Sequence, residues 1–218
     1  MKKRIIIALA LLTLLTTIST QQKIVVSKLN LKKIDIENNY LLKKENIEEL
    51  LSPIYNKNLI FLKNTDIEKL LKQNSLIESF NIRKKYPNTL KIKIFEKKPI
   101  AILQNKKEKF YISEKIELFR YENLPNYENL PYVLGNKNEF NILYKNLIKI
   151  NFPKNLIEKY ILYGSNRWDL EIKNDIVIKL PSKNYQKSLK NFLEIKSKKE
   201  FLKYDIFDYR ITGQLILK

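Results

Sequence analysis

The sequence predicts an α+β chain: an N-terminal transmembrane helix, then two small domains in which short strands and amphipathic helices share a core. Three observations carry this reading. Residues 5–18 form an apolar run directly behind Lys2, Lys3 and Arg4. Further along, apolar residues switch repeatedly between the helical period and strict alternation. The 218 residues, 44% of them apolar, suffice for one medium core or two small ones.

The apolar run sets the first element. No charge falls between Arg4 and Lys23, and eighteen helical residues reach about 27 Å at ~1.5 Å each, close to a hydrocarbon thickness of ~30 Å. A cleavable signal peptide shares the basic start and apolar centre. It requires small residues at its cleavage site, and Thr17-Ile18-Ser19 supplies them poorly. The segment is therefore read as an uncleaved signal anchor over 5–22, with residues 1–4 as a cytoplasmic end. Long domains translocate largely regardless of charge, so the body is expected outside the cytoplasm. A chain without cysteine suits an oxidising compartment.

After the anchor, Leu29, Leu31, Ile34 and Ile36 read as a strand ending at Asn38-Asn39, where Asn tolerates a left-handed turn. Ile47, Leu50, Leu51 and Ile54 fall on one helix face. Thr65-Asp-Ile-Glu68 has the spacing of a capping box and predicts a second helix. Residues 77–84 and 89–96 alternate around Lys85-Tyr86-Pro87-Asn88 and read as a hairpin. Residues 29–97 thus form strand, helix, helix, strand, strand, with the helices on one sheet face.

Beyond residue 98, short strands are expected at 101–103 and 110–112. Phe140, Leu143, Tyr144, Leu147 and Ile148 make a helical stripe. Trp168, Leu170 and Ile172 alternate with Asp169 and Glu171; Asn174-Asp175 turns the chain, and residues 176–180 return it to Pro181. Tyr185, Leu189, Phe192 and Leu193 mark another helix, and residues 204–209 and 214–217 close the domain as strands around Thr212-Gly213.

The composition removes most chemistry. Without His or Cys there is no Ser-His-Asp or Cys-His nucleophile, zinc finger or redox couple. Gly135, Gly164 and Gly213 are too far apart for a phosphate-cradling loop. Glu114 with Glu117, and Asp169 with Glu171, read as solvated charges, and Trp168 as half-buried packing. Asp208 and Arg210 read as an ion pair on one side of a strand. No catalytic, cofactor-binding or metal-binding residue is expected, and no small-molecule substrate. The net charge of +19 invites a nucleic-acid reading. Yet the lysines spread along the whole chain among abundant Asn and Ile, a bias that an AT-rich genome produces on its own, so no nucleic-acid partner is expected. A basic surface of this kind also favours anionic lipid.

Several runs carry a family resemblance: Ile34-Asp-Ile36, Leu76-Ile77-Glu78-Ser79, Arg83-Lys-Lys-Tyr86-Pro87-Asn-Thr-Leu90, Glu96-Lys-Lys-Pro99-Ile-Ala101, Arg167-Trp-Asp-Leu170, residues 176–181, and Asp208-Tyr-Arg210 before Gly213-Gln214. Together they resemble the FtsQ/DivIB family of bacterial cell-division proteins. Tyr86 stands where Trp is common, and an Asn where the first strand usually ends in Gly. The resemblance implies a POTRA domain at 29–97 and an FtsQ-type β domain at 98–218. It implies a non-enzymatic divisome scaffold in the inner membrane, concentrated at the septum. The family's longer cytoplasmic tail is replaced here by Met1 to Arg4, so recruitment through such a tail is not expected.

Ile211, Thr212, Gly213, Gln214, Leu215, Ile216 and Leu217 read as a strand at a sheet edge, whose open N–H and C=O groups suit strand addition. The resemblance implies that these residues bind FtsB with FtsL. The family's partner-anchoring aromatic is missing, since no Tyr, Trp or Phe follows Arg210. Ile211 and Ile216 would supply apolar contacts in its place. The alternative function is a cleaved periplasmic POTRA-type protein of secretion or envelope assembly.

Overall fold

A computed structural model describes residues 2–17, 27–106, 108–211 and 213–218. The chain divides into two compact units, Met1–Lys97 and Lys98–Lys218. Helix α1, Lys2–Thr17, exposes its side chains from Lys3 to Thr16. The Thr13 and Thr16 hydroxyls donate to carbonyls one turn back, at 2.9 Å to Ala10 and 3.0 Å to Leu12, so the helix satisfies its own polar groups. Residues 18–22 of the expected anchor lie outside the described residues. Among the described residues no helix is long and apolar enough to cross a membrane.

The first unit continues with β1 (Lys33–Glu37), α2 (Lys44–Leu50), α3 (Asn64–Leu71), β2 (Ile77–Lys85) and β3 (Thr89–Glu96). Its sheet order is β1-β3-β2, with β1 parallel and β2 antiparallel to β3. Alternation sends Ile34, Leu90, Ile92 and Ile94 inward, onto Ile47, Leu51, Ile54, Ile67 and Leu71, and all of these are buried. Asn38 takes the expected left-handed conformation, at φ 64°. The stripe from Ile47 to Ile54 is split, because Pro53 cannot extend an α-helix and starts a 3-10 turn over Ser52–Ile54. The expected capping box does not form. The backbone enters α3 one residue early, at Asn64, so Thr65 is already helical and Lys63 holds the cap position without a side-chain bond.

One carboxylate closes this unit. Glu96, at the end of β3, accepts the backbone N–H groups of Tyr40 at 3.1 Å, Leu41 at 2.9 Å and Leu42 at 2.8 Å. Glu96 thereby fixes the loop that follows β1.

The second unit holds β4 (Pro99–Asn105), β5 (Glu108–Ser113), β6 (Leu118–Arg120), β7 (Tyr132–Leu134), α4 (Lys137–Lys149), β8 (Ile157–Tyr163), β9 (Arg167–Ile172), β10 (Ile176–Lys179), α5 (Tyr185–Ile195), β11 (Ile206–Asp208) and β12 (Ile216–Leu217). They form one nine-stranded sheet in the order β12-β11-β10-β9-β8-β7-β4-β5-β6. Phe140, Leu143 and Leu147 of α4 and Leu189 and Phe192 of α5 share a core with Trp168, Leu170, Ile178 and Phe207. Asn136 caps α4 by accepting the Glu139 N–H at 2.9 Å. Asn174 and Asp175 both have positive φ, 67° and 60°, which matches a tight hairpin to the strand twist. A Cβ on Gly135 would sit 2.8 Å from that of Leu162, so only glycine allows this close approach.

Two side chains are more enclosed than their sequence pattern suggests. Trp168 and Asp169 are each only 3% exposed, whereas a half-buried ring and a solvated acid were expected. Strand β9 lies inside the sheet between β8 and β10, and Asp169 is flanked across the strands by Ile161 and Lys179.

Candidate functional site: the C-terminal sheet edge

Strand β12 forms one end of the nine-stranded sheet and pairs antiparallel with β11, Phe207 opposite Leu217 and Asp208 opposite Ile216. The Lys218 N–H donates to Ile206 O at 3.1 Å, and the Ile206 N–H to Lys218 O at 3.0 Å. Backbone groups alternate sides along such a ladder, so those of Leu215 and Leu217 point to the open edge. Leu215 and Leu217 side chains pack on the core, while Ile216 is 40% exposed and Ile211 53%.

The expected seven-residue edge strand is shorter in the structure. Ile211 lies in a bend, Thr212 is outside the described residues, and Gly213 takes φ 80°. The Gln214 N–H donates to Ile211 O at 3.1 Å, which closes a turn. Only Ile216 and Leu217 form the ladder proper.

What holds this turn was only partly visible beforehand. The Arg210 guanidinium donates to both oxygens of Asp208, with Nη2 at 2.6 Å from Oδ2, and Asp208 also accepts the Arg210 N–H at 3.1 Å. These hydrogen bonds hold the Asp208 carboxyl below its ordinary pKa, against the opposing effect of burial. Tyr209 donates from its hydroxyl to Asn191 Oδ1 of α5 at 2.9 Å and from its N–H to Lys179 O at 2.8 Å. Burial raises the pKa of this phenol well above the usual tyrosine value.

Across the strands, Asp169 faces Lys179, Lys179 faces Asp208 and Asp208 faces Ile216, giving one transverse row on the sheet surface away from the helices. Arg167 Nη1 lies 3.2 Å from Asp169 Oδ1. Neither atom makes an aligned hydrogen bond, so this is a charge contact only. Burial raises the Asp169 pKa, and Arg167 offsets part of that rise. The Arg167 guanidinium also stacks 4.4 Å over the Tyr163 ring.

On the other side of the turn, a groove of about 580 Å³ runs between α5 and the C-terminal segment, lined by Lys187, Asn191, Phe201, Ile211, Gln214 and Leu215 among others. Its apolar floor and lysine rim were not foreseen, because α5 and the last strand meet only in three dimensions. Among the described residues no group of three His, Cys, Asp or Glu side chains could hold a metal ion.

A β-α-α-β-β unit followed by a larger mixed sheet is the order of a POTRA domain with a C-terminal β domain behind it. Residues 29–97 match the POTRA domain of FtsQ type, and residues 101–210 match the C-terminal domain of cell division protein FtsQ/DivIB. The chain belongs to the FtsQ/DivIB family of cell division proteins. It is 31% identical over 165 residues to cell division protein FtsQ of Rickettsia felis, across 71% of this chain and 60% of that protein. Against the Rickettsia bellii protein of the same name identity is 36% over 137 residues, across 60% of this chain and 50% of the relative. The Agrobacterium fabrum protein of that name is 23% identical over 207 residues, across 93% of this chain and 65% of the relative. The chain spans about 60% of the length of the first of these relatives.

Proposed function

We propose that this chain is a non-enzymatic divisome scaffold, anchored in the inner membrane through residues 5–22, with its POTRA domain (29–97) and β domain (98–218) in the periplasm at the septum. Its partner site is residues 211–217, which bind FtsB, and FtsL with it, by strand addition along β12. The observation that carries this reading is the open β12 edge, whose outward Leu215 and Leu217 backbone groups adjoin the exposed Ile211 and Ile216. Main-chain hydrogen bonds would supply affinity and the alternating side chains selectivity.

The test is capture of the extracytoplasmic segment of FtsB by the full chain in detergent. Leu217→Pro removes one outward donor while sparing the inner ladder, and should weaken capture at least about tenfold with the far-ultraviolet spectrum unchanged. Unaltered capture contradicts strand addition. Proline at Gln214 is a poorer probe, since that N–H serves the turn rather than the edge. The anchor is tested separately: carbonate washing should leave the protein in the membrane pellet, and release would favour the cleaved periplasmic alternative.

A further inference from the structure

The first unit carries a surface that strand addition does not use. The helix-free face of its sheet displays Lys33, Asp35 and Glu37 from β1, Lys91, Lys93 and Phe95 from β3, and Arg83 and Lys85 from β2. Five cations there meet two carboxylates. Lys33 pairs with Asp35 and Lys91 with Glu37, each at 2.8 Å. Arg83, Lys85 and Lys93 form no ion pair among the described residues, and Lys93 lies over the Phe95 ring, 5.5 Å from its centre. On the opposite side, α2 and α3 carry Glu45, Glu48, Glu49, Asp66 and Glu68 with Lys44 and Lys69, and Lys43, Lys63 and Lys72 flank the two helices. The helix side is therefore mixed in charge, whereas the sheet face carries an excess of cations.

A shallow groove of about 190 Å³, lined by Glu37, Asn81, Arg83, Lys91 and Lys93, crosses this face. It is smaller than the ~300 Å³ at which small-molecule pockets begin, yet roomy enough for a single phosphate group. Phe95, 38% exposed beside these cations, adds an apolar contact.

We propose that this sheet face docks on an anionic lipid surface, with headgroup phosphates between Arg83, Lys91 and Lys93 and Phe95 at the interface. The choice of lipid as the anion's source rests on the membrane-anchor reading. Only residues 18–26 lie between α1 and Ser27, so the chain keeps Ser27 within about 36 Å of the end of that helix. Surface charge acts within a Debye length of ~8 Å at physiological salt, so docking is a short-range, salt-sensitive equilibrium.

The chain has no cysteine, so Asn81→Cys gives a unique attachment point for an environment-sensitive fluorophore without altering any charge in the groove. The full-length protein is reconstituted into phosphatidylcholine vesicles, with or without phosphatidylglycerol. The expected result is a blue shift and quencher protection only with phosphatidylglycerol, abolished by high salt. Arg83→Gln and Lys93→Gln should each lower the docked-to-free ratio about fivefold, from ~1 kcal/mol per charge near an anionic surface. A label on α2 at Asn46→Cys should not respond. Equal signals in both vesicle types, an equal response at residue 46, or the same shift from free phosphate or polyglutamate on neutral vesicles would overturn the proposal. Carbonate release from both vesicle types would refute the anchor instead, while a phosphatidylglycerol-dependent signal would still report docking.

Discussion

The outer strands of the two sheets, β2 in the first unit and β12 in the second, are exposed in opposite ways. Strand β2 spans nine residues and turns Ser79, Asn81, Arg83 and Lys85 to solvent. Strand β12 has two residues, and no charge occurs from Ile211 to Leu217. A long edge guarded by cations resists pairing with another chain, because a neighbour's backbone would have to approach desolvated charge. A short uncharged edge flanked by exposed isoleucines lacks that defence. The contrast teaches that an edge is guarded by the side chains beside it and not by its length alone.

Each unit also uses a carboxylate to grip backbone. Glu96 takes three N–H groups of the loop after β1, and Asp208 takes Arg210 at the turn before β12. The largest expected effect in this comparison comes from Glu96→Ala, which strands partly buried donors and should destabilise the first unit by about 2–3 kcal/mol. Denaturant unfolding followed from each unit should show the loss in the first and leave capture by β12 intact. A loss of capture would mean that the two regions are not independent.

A smaller change converts β12 toward the character of β2. Ile216→Lys places a cation on the open edge and should weaken FtsB capture about tenfold, near 1.4 kcal/mol, with the melting temperature unchanged. Full capture by this variant would mean that edge charge does not govern docking.

The smallest effect separates the two buried acids of the transverse row. The Asp208 carboxyl is held below its unfolded value of about 3.9, so it stabilises the fold above that pH and loses its contribution as pH falls through the lower folded value. Asp208→Asn should therefore lower the melting temperature at pH 7, with the deficit closing under acid. Asp169, raised by burial, has the opposite sign: its ionised form costs stability at neutral pH, and acid relieves that cost. Asp169→Asn should remove the relief, and melting curves across the acid range would show parallel behaviour if these assignments were wrong.

Much of the fold was legible in local pattern. The alternation of Leu90, Ile92 and Ile94 against Lys91 and Lys93 marked β3, and Asn174-Asp175 marked the turn between β9 and β10, because both signals span only a few residues. Strands β6 and β7 were missed because three residues carry no period. Strand β8 was missed because a bulge between Ile157 and Lys159 shifts its alternation. The capping-box spacing at Thr65 was misleading, as backbone entry at Asn64 took precedence. At the candidate site, the uncharged segment and the Asp208–Arg210 pair stood in the sequence. The turn closed by Gln214 and the groove against α5 did not, since both depend on where Tyr209 is pinned by Asn191 and Lys179.

Amide hydrogen exchange, read residue by residue as the FtsB segment is added, tests the role of β12 most directly. Protection should appear at the Leu215 and Leu217 amides, with exchange along β2 unchanged. Unaltered exchange at both leucines in a formed complex, or new protection along β2, would contradict it.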